Sequence, residues 1–204
     1  MAQSMHTLSG GFDLTMDELR VVARYVVQHA EDVLPVFEQA IPDDLRPRAA
    51  IDAAWAFVNG AKRTKLQRVS SLDAHRAARS APSEAVRLAA RSAGDAAAAA
   101  YLHPIAKASQ VGHILRAAAS AARIGEIEAG GDPAIGNALL ERSRQHATPV
   151  LVDVLSRYPP ATSGSNRVAQ LMSTLDHCLR QPADRSPGHT ALNPSDPRRR
   201  ECES

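Results

Sequence analysis

Three histidines, His75, His103 and His113, lie in one stretch of the chain with Asp52, Asp73 and Asp95 before and between them. Imidazoles and carboxylates brought together across neighbouring helices could hold a metal ion or relay a proton. A metal-dependent helical enzyme built on these groups is therefore one reading. The spacing does not favour it: no two histidines stand at i and i+4, and HExxH is absent. The histidines are read instead as structural or partner-facing residues, with no metal and no cofactor expected. His29, His146 and His177 belong to no such grouping.

The other nucleophiles carry weaker signals. Gly-x-Ser-x-Gly is missing, and Ser70-Ser71 falls inside a helical pattern rather than at a strained turn. Cys178 sits on a helical stripe and reads as a small core residue, whereas Cys202 lies in the tail; together they make neither a disulfide framework nor a zinc spacing. Lys62, Arg63, Lys65 and Arg68 could touch phosphates, which keeps a nucleic-acid-associated accessory role as a third reading. The nearest aromatic, Trp55, is assigned to the core by the helical period, so a solvated basic face is preferred.

Arg46, Pro47, Arg48 and Asp52 form a more specific constellation. Two arginines flank a fixed helix start, and Asp52 follows Arg48 by one turn. One reading is an Arg48 to Asp52 pair within the helix. The other is an electrostatic anchor, whose planar guanidinium forks would grip carboxylates of a partner or of another helix. Both remain open from the residues alone.

Helices must position all of these groups. Thr15 and Glu18 make a capping box, and the stripe Leu19, Val22, Ala23, Val26, Val27, Ala30, Val33, Leu34, Phe37 follows. Pro35 predicts a kink or break near Gln28 to Asp32. A second helix begins around Arg46-Pro47, buries Ile51, Ala54, Trp55 and Val58, and stops at Asn59-Gly60. A third carries Leu66, Val69 and Leu72 as its apolar face and continues to about Arg79. Pro82-Ser83-Glu84 starts a run of helix formers to Tyr101; Pro104 then divides or kinks it before a stripe of Ile105, Ala108, Gly112, Leu115, Ala119 and Ala122. Gly130-Gly131 stops that element, and Asp132-Pro133 opens the next, with Ile135, Ala138 and Leu139 on its inner face. Thr148-Pro149 starts a short helix with Leu151, Val154 and Leu155. Val168, Leu171, Met172, Leu175 and Leu179 mark the last.

Composition agrees with this reading. Hydrophobic residues make up 44% of 204 while aromatics supply only 3%, and roughly a fifth of the chain is alanine, the best helix former. The expected fold is all-α: a single alanine-rich bundle of about seven or eight helices, with weak helix-pair repetition left open. Residues 1–13 are expected to be a flexible N-terminus, 14–180 the helical domain, and 181–204 a disordered tail rich in Pro, Ser, Asp and Arg. A formal charge of +2 gives no general nucleic-acid-coating surface. With neither a signal-peptide pattern nor an apolar run long enough to span a bilayer, a cytoplasmic location without membrane partners is expected.

The stretches Asp44-Leu45-Arg46-Pro47-Arg48-Ala49-Ala50-Ile51, Ala74-His75-Arg76-Ala77-Ala78-Arg79, and Ala93-Gly94-Asp95 through Tyr101-Leu102-His103-Pro104 resemble the alanine-rich helical immunity proteins of bacterial polymorphic toxin systems, particularly an actinobacterial branch. The similarity runs from about Leu14 to Arg180. That family often carries a histidine after the Ala-Gly step and another near the position of Tyr101; this chain has Asp95 at the first, which speaks against a shared metal site. The resemblance implies a cytoplasmic immunity or antitoxin-like protein that binds and neutralises a toxin through a helical surface, with no enzymatic activity. Homodimerisation through an alanine face is also open. The candidate partner-binding or anchoring residues are Arg46, Arg48, Asp52, His75, Asp95, Tyr101, His103 and His113.

Overall fold

Thr15 opens the chain's first helix as its spacing predicts: its hydroxyl accepts from Glu18 N while the Glu18 carboxylate accepts from Thr15 N, the reciprocal arrangement that satisfies exposed donors. The structure is a computed structural model describing residues 11–162 and 164–181; most of the expected N-terminal segment and nearly all of the 181–204 tail lie outside the described residues. Eight α-helices follow in order: α1 (Met16–Ala40), α2 (Arg46–Val58), α3 (Lys65–Arg79), α4 (Glu84–Ala98), α5 (Val111–Glu128), α6 (Pro133–His146), α7 (Pro149–Ser156) and α8 (Arg167–Arg180). Short 3-10 turns at Ala99–Tyr101 and Ala108–Gln110 flank the division at Pro104. Among the described residues there is no strand, only an isolated bridge between Gly11 and Ile105, and no helix is long and apolar enough to cross a membrane.

Local chemistry sets the boundaries. Thr64, Ser83, Asp132, Thr148 and Asn166 each cap a helix through a side-chain oxygen. Gly60, Gly130 and Gly131 adopt positive φ where α2 and α5 stop, a conformation that costs other residues a Cβ clash.

The centre is built from α1, α4 and α5, which pack on one another; α2 and α3 flank α1 and α4, while α6 and α8 flank α5. Because α1 meets α5 as well as α2 and α4, the helices close into a bundle rather than an open array of neighbouring pairs. α4 buries Ala89, Ala90, Ala93, Gly94, Ala96 and Ala97, so neighbouring axes approach it closely. Polar anchors fix the outer helices. The buried Tyr25 hydroxyl donates to Ser143 O on α6 at 3.2 Å, and Arg180 on α8 bonds Asp176 and the carbonyls of Leu155 and Tyr158.

Several expectations are corrected. Pro35 does not break α1, which runs unbroken through it; burial of Val33, Leu34 and Phe37 on the same stripe offsets the lost backbone bond. Trp55 is only partly buried, because its indole N–H reaches out to Glu31 at 2.9 Å. Ile105 lies in the loop before α5 and is exposed, since α5 starts only at Val111. On α6 the inner face is Gly136, Leu140 and Ser143, leaving Ile135 and Ala138 exposed. Gly136 lets α6 lie close against Glu126 of α5. Cys178 is exposed, one position off the buried Leu171, Leu175, Leu179 line.

Candidate functional site

The arginines at the start of α2 are held in carboxylate pairs at the surface. Arg46 forks onto Asp44, with Nε to Oδ1 at 2.8 Å and Nη2 to Oδ2 at 2.6 Å, and holds that carboxyl below the usual range. Arg48 forks onto Glu38 near the end of α1, at 2.8 and 2.9 Å. The alternative Arg48 to Asp52 pair does not form, and Asp52 is exposed. Helical side chains lean toward the N-terminus, so Arg48 reaches back to α1 instead of forward along α2. The Arg48 pair clamps α1 to α2, while Arg46 braces the turn just before α2.

Tyr101 is likewise engaged. Its hydroxyl donates to Thr64 O at 2.6 Å, and the guanidinium groups of Arg63 and Arg68 stand 5.1 and 5.4 Å from its ring centroid. Two of the basic residues considered for phosphate contact are thus placed over an aromatic ring. His103 lies exposed in the loop after Tyr101, where its backbone carbonyl accepts from Tyr158 OH.

His75, Asp95 and His113 do come together, from α3, α4 and α5. Asp95 is 2% exposed. Its Oδ1 accepts from Arg116 Nη1 at 3.1 Å, and His75 Nε2 lies 3.8 Å from the same oxygen. Asp95 Oδ2 and His113 Nδ1 are buried without a hydrogen-bond partner. The His75 ring lies so close to Gly94 that a Cβ there would fall 2.8 Å from it, so glycine is what admits the imidazole. These groups line an open cleft of about 490 Å³ completed by Leu72, Ala78, Arg79, Arg87 and Arg91. His103 is not part of its lining, and no group of three or more His, Cys, Asp or Glu is arranged to hold a metal among the described residues.

The cleft lining carries four arginines against one carboxylate. Each helix contributes residues at helical spacing: Leu72, His75, Arg79 from α3; Arg87, Arg91, Asp95 from α4; His113 and Arg116 from α5. Sequence reasoning singled out the histidines and Asp95 but missed the arginines, although the i, i+4, i+8 series Arg87, Arg91, Asp95 was visible. Desolvation lowers the proton affinity of His75 and His113, with the arginines adding repulsion, and burial does the same to His29. A histidine whose folded pKa is depressed leaves stability unaffected above its unfolded value, then removes stability as pH drops below it, because the unfolded chain takes the proton first. The melting temperature should therefore fall between about pH 6.5 and 5. Glu18, held at about 2 chiefly by Arg157, and Asp44 and Glu126 add a second loss at lower pH, as those carboxylates become protonated. Calorimetry across this range checks both stages; a flat profile from pH 7 to 5 would contradict the histidine assignment.

A second feature reverses an expectation. Leu66, Val69 and Leu72 are 55%, 52% and 51% exposed, and Leu45 at the α2 cap is 67% exposed. The buried side of α3 is instead Gln67, Ser70, Ser71, Ala74, Ala77 and Ala78. Gln67 accounts for part of this choice: its Oε1 accepts from Thr64 N and its Nε2 donates to Ala53 O on α2. The Ser/Ala face allows α3 to approach the alanine-lined α4 more closely than leucines could. The apolar stripe then faces outward, and Leu72 at its end forms part of the cleft wall.

A family model described as "Imm-5 like putative immunity protein" matches residues 13–122. The matched span includes the apolar stripe of α3 and every residue lining the cleft. No curated protein and no solved structure matches the chain.

Proposed function

Because the chain belongs to the Imm-5-like immunity protein family, we propose that it binds and neutralises a toxin protein in the cytoplasm, with the outward stripe of α3 as the docking surface. The observation that carries this reading is the exposure of Leu66, Val69 and Leu72 in a row on a rigid helix. A row of apolar side chains at three-residue spacing on one exposed helix face marks a surface for contact with another protein. Neutralisation by masking needs such a surface and no reacting groups. Arg48, bound to Glu38, acts in this reading by holding α2 on α1, and Gln67, donating to Ala53 O, holds α3 beside α2.

The test is co-expression with toxin candidates encoded next to this gene. Wild-type protein is expected to restore growth and to co-purify with one of them, while Val69→Asp with Leu72→Asp abolishes both without altering the circular dichroism spectrum. Rescue that survives the double substitution would move the docking surface elsewhere, and the absence of any toxic or rescued neighbour would end the immunity reading. Homodimerisation through the same stripe is the competing use. Sedimentation of purified protein would reveal it as a dimer that Leu72→Asp dissolves.

A further inference from the structure

Most arginines in this fold are already engaged. Arg116, Arg123, Arg144, Arg157, Arg167 and Arg180 bind carboxylates, as do Arg20, Arg46, Arg48 and Arg76. Arg24, Arg63 and Arg68 stand over aromatic rings. Among the described residues, Arg79, Arg87, Arg91 and Arg142 do neither, and the first three line the single cleft between α3, α4 and α5. The only carboxylate in that lining is Asp95, with one oxygen held by Arg116. Four guanidinium groups face one carboxylate in that lining, and the nearby Glu84 is itself forked by Arg123, so the cleft keeps a net positive charge when His75 and His113 are neutral.

We infer that this cleft receives carboxylate side chains from an acidic segment of the protein partner, beside the apolar stripe that begins at Leu72. The inference rests on the proposed function only in taking the partner to be a protein. Unpaired guanidinium forks clustered on a rigid wall repel one another, and carboxylates relieve that repulsion while matching the fork geometry. Asp95 sets the position of Arg116 from beneath, so the wall is organised before a ligand arrives. Leu72 lies on both the stripe and the cleft rim, which places an acidic side chain of the partner next to an apolar one. A nucleic-acid backbone fits less well: the rings that could stack bases nearby belong to Tyr101, already covered by Arg63 and Arg68.

The experiment titrates full-length protein with an end-blocked hexaglutamate peptide, and in parallel with inorganic phosphate and a single-stranded oligonucleotide, following arginine Nε–H signals by NMR. Hexaglutamate is expected to saturate, shifting Arg79, Arg87 and Arg91. The double variant Arg87→Gln, Arg91→Gln should bind about tenfold more weakly at low salt, the effect of removing two charge pairs. Arg142→Gln, which removes an equally unpaired arginine elsewhere, should bind like wild type. Lack of saturation, equal weakening by Arg142→Gln, or tighter occupation by phosphate or oligonucleotide would each overturn the inference. Peptide binding without toxin rescue would leave the cleft assignment standing while the immunity reading fails; rescue without peptide binding would do the reverse.

Discussion

Phe37→Ala is expected to destabilise the protein by about 3–5 kcal/mol, the range for removing a buried phenyl ring. Phe37 is 0% exposed and belongs to a cluster with Val33, Ala77, Ala78, Val86, Leu88, Ala89, Ala90 and Ile124. Half of those neighbours are alanines, whose methyl groups have no rotamers with which to fill the space. The cavity can close only if whole helices move, which places the cost toward the upper end of the range. Urea unfolding checks it: the midpoint should drop without a change in slope, and the melting temperature should fall by about 10 °C for a chain of this size. A loss below about 1 kcal/mol would mean that α1 can shift toward α3 and α4 and that the bundle is softer than its alanine packing implies.

Glu126→Leu is the second large expected effect, with a loss of about 2–3 kcal/mol. The Glu126 side chain is 2% exposed on α5 and accepts from Arg167 Nε through both oxygens at 3.0 Å. It also accepts from Arg123 at 3.3 Å, while Arg123 forks onto Glu84 at the start of α4. One carboxylate thus joins α5 to the first residue of α8 and, through Arg123, to α4. Removing it leaves Arg167 without its carboxylate, but both arginines are partly solvated, which keeps the cost below that of a fully buried pair. Glu126→Gln should cost less because shape and part of the hydrogen bonding survive. Hydrogen exchange separates this network from general softening: amides of α8 should lose protection before those of α1 and α4. Gly136→Ala should report on the same carboxylate, since a Cβ at Gly136 would fall 2.2 Å from Glu126 Oε1, a position fixed by Arg167.

Neither effect overlaps with the docking variants. Val69 and Leu72 are half exposed, so charging both should cost about 1–2 kcal/mol, well short of Phe37→Ala and too little to unfold the bundle. A loss of toxin neutralisation in Val69→Asp, Leu72→Asp would therefore report on contact rather than on folding. Phe37→Ala and Glu126→Leu would lower the amount of folded protein while leaving the surface chemistry of the remaining fraction intact.

The residues of the chain by themselves determined where six of its helices begin and where α2 and α5 end. Thr15, Thr64, Ser83, Asp132, Thr148 and Asn166 act on backbone donors two or three residues away, and Gly60, Gly130 and Gly131 act on their own φ, so those signals need no tertiary context. The stripes of α1 and α8 were equally legible because one face of each is strongly apolar and no second face competes with it. On α3 two faces compete. Leucine and valine occupy one, serine and alanine the other, and hydrophobicity alone selects the wrong one. The choice depends on the alanine surface of α4 and on Gln67 reaching Ala53 O, neither of which a local period contains. The same limit applies to the candidate site. The histidines and Asp95 could be singled out by type, and Arg87, Arg91 and Asp95 by spacing. Whether Arg48 would pair forward with Asp52 or back to Glu38, and whether three arginines would meet around Asp95 without partners of their own, were decided only when separate helices came within reach. Local capping acts within one turn, whereas charge pairing and the choice of a buried face are settled by groups distant in sequence, once packing has fixed the distances between them.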